Sequence, residues 1–126
     1  MVNVPISLGE LIDKITILEI KHSKITDDDK LKNVTNELNR LLLVLGTKKL
    51  SDEVVECMKK LRSVNQQLWD IEDQIRIKEK HQEFDDEFVA LARSVYFTND
   101  ERANLKKKIN ISTESEIIEE KEYVSY

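Results

Sequence analysis

Polar side chains interrupt the apolar stripe of two long predicted helices, and their types could bind a small ligand. Asn65 and Glu72 lie in the first of these helices, and Thr98, Asn99 and Arg102 lie in the second. Buried polar groups are costly unless they are paired, so such positions often carry specificity or binding. An arginine can hold an anion, and a carboxylate can accept a hydrogen bond from a hydroxyl group.

Helical geometry indicates how these side chains meet. If the two helices turn back on each other around residues 83–84, Asn65 faces Arg102. Trp69 then lies over this layer, and Arg76 lies farther along the same helix. We favour the interpretation that the layer fixes register and partner choice, as buried polar residues do in coiled coils. The alternative is a pocket for an anionic or polyhydroxylated ligand, with Arg76 and Arg102 as anion ligands.

Other carboxylate and histidine positions do not match the spacing of known catalytic or metal-binding motifs. Glu56 and Glu83 formally match the paired carboxylates of all-α nucleoside triphosphate pyrophosphohydrolases. A continuous helix would separate them by about 40 Å, too far to share one Mg²⁺. His22 and His81 have no neighbouring Cys or His, so we expect no metal site. We also expect no cofactor, and no residue is assigned a catalytic role, so enzymatic activity stays undecided.

The composition predicts one all-α domain. The chain has 126 residues, of which 36% are charged, and only 2 Gly and 1 Pro, so turns are rare and long helices are favoured. About four helices should form antiparallel hairpins in a bundle, with a long coiled-coil-like hairpin of helices 3 and 4. We predict a helical domain over residues 1–112 and an acidic tail over residues 113–126.

The charge and the cysteine count limit the location and partners of the protein. The tail contains five glutamates and one lysine, so its formal charge is −4. The whole chain has a formal net charge of −5, so the rest of the chain is near −1. Nucleic-acid binding is therefore not expected, although residues 106–108 form a local patch of three lysines. Cys57 is alone and is expected in the core. Without an export signal or a membrane span, we expect a cytoplasmic protein.

Capping signals place the helices. Ser7 and Glu10 form a capping box at the start of helix 1, whose apolar residues cover more than one face and predict packing on two sides. Helix 2 should end at about Leu45, with Gly46 as its C′ residue. The remaining N-caps are expected within Thr26–Asp29, at Ser51, and at Asp85 or Asp86, and helix 4 should reach about Ile111.

The second hairpin is predicted to be longer than the first. Val54, Leu61, Leu68 and Ile75 repeat every seven residues in helix 3. Helices 3 and 4 should extend beyond helices 1 and 2 by roughly 13 Å, which would leave part of this stripe uncovered. Either the tail folds back over the stripe or a second copy covers it, and we favour a homodimer.

Three sequence blocks resemble a known family. They are VPISLGELIDKITILEIK at residues 4–21, LWDIED at residues 68–73 with Ile75 and Arg76, and ARSVY at residues 92–96 with TNDERA at residues 98–103. The resemblance is to small all-α bacterial and phage proteins, a domain of unknown function sometimes associated with glycosyltransferases. It implies a link to glycan or nucleotide-sugar metabolism by association, and it implies no catalytic residue.

The blocks add three helix 1 positions to the candidate cluster. The full set of ligand or specificity residues is Asp13, Lys14, Glu19, Asn65, Trp69, Glu72, Arg76, Thr98, Asn99 and Arg102. We expect a dimeric, non-enzymatic interaction or accessory protein, with a protein partner as a further expectation. The alternative is a ligand-binding protein or enzyme of sugar or nucleotide-sugar metabolism that uses this cluster.

Overall fold

Four α-helices make up the fold, and the computed structural model describes residues 1–126. The helices are α1 (Leu8–Lys24), α2 (Asp28–Leu45), α3 (Asp52–Lys80) and α4 (Asp86–Ser112), and there is no strand. The predicted all-α class and the helical bundle are confirmed. None of the four helices has the length and apolar character needed to cross a membrane.

Every helix begins at a side-chain cap. In each case an oxygen of the N-cap side chain accepts a hydrogen bond from the backbone N–H three residues later, which satisfies one donor that the helix itself leaves free. The four N-caps are Ser7, Asp27, Ser51 and Asp85. All four lie where the sequence predicts them.

Helix α1 lies between α2 on one side and the α3–α4 hairpin on the other, as its apolar pattern predicts. One core cluster joins Leu11, Ile15 and Leu18 of α1 to α2. A second cluster joins Ile12 of α1 to α3 and α4, and it includes the buried Cys57. Helix α2 packs along α1 alone, and only Leu45 at its end also reaches the second cluster, so the two halves of the fold meet mainly through α1.

The start of α1 packs closely on the end of α4. The backbone N–H of Gly9 donates to Oδ1 of Asn110 over 2.8 Å, and Asn110 is 1% exposed. A Cβ on Gly9 would lie 2.6 Å from the carbonyl oxygen of Lys106 and 2.7 Å from Oδ1 of Asn110. Glycine is therefore required at position 9 by the close approach of the two backbones.

Burial ends partway along the α3–α4 hairpin. The last buried residue of α3 is Asn65 and the first of α4 is Thr98. The segment between them, residues 66–97, is called the outer hairpin, and none of its side chains is fully buried. Ile77, Phe84 and Val89 in this segment are 56%, 55% and 52% exposed. The hairpin thus extends beyond the core, but the stripe residues Leu68 and Ile75 are partly buried rather than uncovered.

One lysine holds the turn of this hairpin. The Nζ of Lys78 lies 2.8 Å from Asp85, 3.2 Å from Glu87 and 3.3 Å from Glu83. The hydrogen bond to Asp85 is the main reason why the pKa of Lys78 is raised. The same contact lowers the pKa of Asp85. These pairs link α3, the turn and the first turn of α4.

The acidic tail folds back along α4. Glu120 accepts two hydrogen bonds of 3.0 Å from Lys107. Farther along, the Tyr126 hydroxyl donates to Asp100, which raises the pKa of Tyr126 to about 12. The Tyr126 ring lies 5.1 Å from the ring of Tyr96, between centroids. The tail therefore covers α4 from Lys107 back to Tyr96, at the inner end of the outer hairpin, while the exposed side chains near the turn of the hairpin stay uncovered.

Gly9→Ala should destabilise the fold by about 2 kcal/mol, because the new methyl group would force α1 and α4 apart. The measurement is urea unfolding followed by circular dichroism. Gly46→Ala is the control, because Gly46 is the C-cap of α2 with right-handed backbone angles and not the predicted C′ residue. It should change the unfolding free energy by less than about 0.5 kcal/mol. Equal changes in the unfolding free energy for the two substitutions would contradict the requirement for glycine at position 9.

Candidate functional site

A buried carboxylate lies at the point where α1, α3 and α4 meet. Asp13 is flanked by the core residues Ile12 and Ile15, and it is 1% exposed. The apolar pattern of α1 directs this position toward the α3–α4 hairpin together with Ile12. A carboxylate in such a place needs opposite charge and hydrogen-bond donors.

Arg102 of α4 supplies the charge. Its Nε donates to Oδ1 of Asp13 over 2.9 Å, and its Nη2 donates to Oδ2 over 2.5 Å. Burial by itself would raise the pKa of Asp13, but the hydrogen bonds from Arg102 and Asn65 and the charges of Arg102 and Lys106 outweigh it. The pKa of Asp13 is therefore held below its usual range. The hydrogen bonds to Asp13 likewise raise the pKa of Arg102.

Asn65 of α3 completes the contacts of this carboxylate. Its Nδ2 donates to Oδ1 of Asp13 over 3.0 Å and to the hydroxyl of Thr16 over 2.8 Å. Thr16 in turn donates to the backbone carbonyl of Asp13 over 2.8 Å. No buried side-chain nitrogen or oxygen in the chain lacks a partner. In the group Asp13, Thr16, Asn65 and Arg102, called the polar junction, every buried side-chain nitrogen and oxygen thus has a hydrogen-bond partner.

Lys106 extends the polar junction to the start of α1 and to the tail. Its Nζ lies 2.8 Å from Glu10, 2.8 Å from Glu119 and 3.9 Å from Oδ2 of Asp13. Burial opposes the charge of Lys106, yet these carboxylates raise its pKa. The contact with Lys106 lowers the pKa of Glu119. Lys106 is 7% exposed and Lys107 is paired with Glu120, so most of the lysine patch seen in the sequence is neutralised.

A cleft of about 530 Å³ opens beside the polar junction. It lies between the C-terminal half of α1 and the two helices of the hairpin. Asn65 and Arg102 reach it from the polar junction, and Trp69 is its one aromatic residue. The other lining residues are Ile17, Ile20, Lys21, Leu68, Glu72, Asp73, Arg76 and Asn99.

The structure brings six of the ten candidate residues together along this cleft: Asn65, Trp69, Glu72, Arg76, Asn99 and Arg102. Asp13 lies beneath them in the polar junction. Thr98 is buried in α4 without lining the cleft. Lys14 lines a different groove, and Glu19 forms a surface ion pair with Arg62.

The predicted hydrogen-bonded layer is observed only in part: Asn65 and Arg102 belong to it, but Thr98 and Asn99 form no side-chain hydrogen bond with it. The largest departure is at Glu72. This residue does not lie in a buried layer but forms an exposed pair with Arg76 over 3.3 Å. The buried carboxylate that faces Arg102 comes instead from Asp13 on α1. A register argument for α3 and α4 alone cannot show this, because it leaves out the third helix.

Some residues of the site were missed from the sequence. Lys106 and Asn110 bind the start of α1, and Lys21 and Asp73 lie at the cleft. A signal for Lys106 was present, because it follows Arg102 by four residues and therefore lies on the same face of α4. Groups of three or more His, Cys, Asp or Glu side chains that could hold a metal ion are not found.

The fold and the site define a class of all-α protein in which a central helix carries a buried aspartate paired with an arginine of a long helical hairpin. The chain belongs to the family of unknown function DUF6165, whose family model matches residues 2–126. No curated protein and no solved structure matches the chain.

Asp13→Asn should destabilise the protein by about 3 kcal/mol, because it leaves Arg102 without its partner in a largely buried ion pair. This value is the lower end of the range for breaking a buried ion pair, since Arg102 is partly exposed and stays partly hydrated. Urea unfolding at pH 7 gives this difference. Glu72→Gln is the control, since it breaks an exposed pair, and it should cost less than about 0.5 kcal/mol.

The effect of Asp13→Asn should depend on pH. The pKa of Asp13 is lower in the folded chain than in the unfolded chain, so its stabilising contribution is complete above the unfolded value of about 4 and is lost as the pH falls toward the folded value. The stability difference between the wild type and the variant should therefore be constant above about pH 5 and shrink below about pH 4. A difference that grows on acidification would contradict this account.

Proposed function

We propose that this protein is a non-enzymatic interaction module that acts as a homodimer through its outer hairpin. The observation that carries the proposal is the mismatch between sequence pattern and burial in α3. The apolar heptad continues through Leu68 and Ile75, but no residue beyond Asn65 is buried. A long hairpin whose heptad residues are only partly buried, and whose outer apolar side chains are exposed, is typical of a helix pair that packs on a partner.

The exposed surface has the chemistry of an interface. Ile77 lies near the end of α3, and Phe84 and Val89 lie in the turn and at the start of α4, so three apolar side chains stay more than half exposed in one region. Phe84 packs edge to face on Phe88, with ring centroids 5.2 Å apart, so these rings already form an ordered patch. Exposed apolar side chains concentrated near one turn favour an interaction site there.

A second copy of the chain is the partner that we infer for this surface, because it supplies a matching apolar surface without any further component. Two outer hairpins related by a two-fold axis would place the same apolar residues of both chains against each other. The contact would be a four-helix, coiled-coil-like bundle in which Ile77, Phe84 and Val89 of both chains become buried, while Leu68 stays in the wall of the cleft. The polar junction would then set the register of each hairpin before the two copies meet.

A reducing compartment is part of the same proposal, and the cytoplasm is the location that we infer. Cys57 is the one cysteine of the chain and lies in the core, where it acts as a small apolar side chain. An interaction surface that relies on apolar contacts rather than on disulfides fits this setting.

Ile77→Lys should weaken the dimer at least about 30-fold, equivalent to about 2 kcal/mol, because a lysine would be buried at the contact. Sedimentation equilibrium measures this change against the chain mass of 14.8 kDa. Leu43→Lys is the matched control: Leu43 is 76% exposed and, like Ile77, lies near the C-terminal end of a helix, but on α2.

The control should leave the dimer intact. Dissociation by Leu43→Lys but not by Ile77→Lys would move the interface to α2 and contradict the proposal. A wild-type protein that stays monomeric over the micromolar range would also contradict it.

A further inference from the structure

The cleft beside the polar junction has features that dimerisation does not use. It has a volume of about 530 Å³, in the range of small-molecule sites, and it combines one apolar wall with several polar side chains. Its floor is formed in part by an arginine whose position is fixed from below by a buried carboxylate. We propose that this cleft binds a small anionic polyol, a molecule with one carboxylate or phosphate group and several hydroxyl groups.

Arg102 is prepared to hold the anionic group. A guanidinium carries five N–H donors in a fixed planar fork. Asp13 occupies the edge formed by Nε and Nη2, and the side chain of Arg102 remains 30% exposed. The donors of Nη1 and the second N–H of Nη2 form another edge, which can bind a carboxylate or phosphate with two hydrogen bonds. Because Asp13 already holds the guanidinium in place, little side-chain entropy is lost on binding.

The equal numbers of positive and negative side chains at the cleft favour a ligand with a single anionic group. Lys21, Arg76 and Arg102 contribute three positive charges, while Glu72 and Asp73 at the cleft and Asp13 beneath it contribute three negative ones. A polyphosphate would bring several negative charges close to these carboxylates without enough cations to offset them. A single carboxylate or phosphate on Arg102 avoids this repulsion.

The remaining lining residues fit hydroxyl groups and C–H faces. Glu72 and Asp73 are acceptors, and Asn99 offers both a donor and an acceptor, so together they can bind hydroxyl groups. Trp69 contributes an aromatic side chain, and the negative face of such a ring attracts the weakly positive hydrogens of an aliphatic ring. Ile17, Ile20 and Leu68 complete the apolar wall.

The fluorescence of Trp69 provides the test, because it is the single tryptophan of the chain. Glucuronate and glucose 6-phosphate are the probes, and glucose, inorganic phosphate and ATP are the comparison ligands. At least one probe should give a saturable change with a Kd below about 1 mM. Glucose, which lacks the anion, inorganic phosphate, which lacks the hydroxyl-bearing frame, and ATP, which is a polyanion, should each bind at least tenfold more weakly.

Two matched variants locate the binding. Asn99→Asp adds a negative charge at the cleft and should weaken probe binding at least tenfold. Asn104→Asp makes the same change on an exposed position of α4 outside the cleft and should leave binding unchanged. The Ile77→Lys variant should also bind normally, because Ile77 does not line the cleft.

Three results would overturn the proposal. The first is that neither probe changes the fluorescence of Trp69. The second is that phosphate or ATP binds as tightly as the probes, which would show an unspecific anion site. The third is that Asn104→Asp weakens binding as much as Asn99→Asp, which would place the effect outside the cleft.

Discussion

The buried carboxylate of Asp13 is the constraint on which the rest of the structure depends. An ionised carboxylate that is almost fully removed from water is tolerated only if nearby groups replace its hydration. Arg102 and Asn65 do so from two different helices. Because all three helices must supply their groups at once, the contact defines how far each one is shifted along its axis. Apolar packing alone would tolerate small shifts more readily.

This constraint divides the molecule into two parts with different chemistry. On the side of α2, apolar clusters on both faces of α1 hold the core together. On the other side, the outer hairpin contacts α1 and the tail only at its inner end, and near its turn it keeps apolar side chains exposed. The polar junction lies at the boundary, and it also fixes the arginine that faces the cleft. Core, cleft and proposed interface are therefore arranged around the same ion pair.

Much of the fold follows from local sequence signals, while the site depends on contacts between distant residues. Ser7, Asp27, Ser51 and Asp85 act within a single helical turn, so their capping role is visible in the sequence. The partner of Arg102 is 89 positions away on another helix, and nothing local distinguishes Asp13 from a surface aspartate except its apolar neighbours. The backbone contact of Gly9 with Asn110 leaves no periodic signal either.

A double-mutant cycle between Asp13 and Arg102 tests the central claim most directly. Asp13→Asn, Arg102→Gln and the double variant would be unfolded in urea at pH 7, and the coupling free energy calculated from the four stabilities. If the ion pair holds the helices in register, the coupling should be at least about 2 kcal/mol, because each single change leaves a charge without its partner. A coupling below about 0.5 kcal/mol would show that the two residues act independently and would contradict this account.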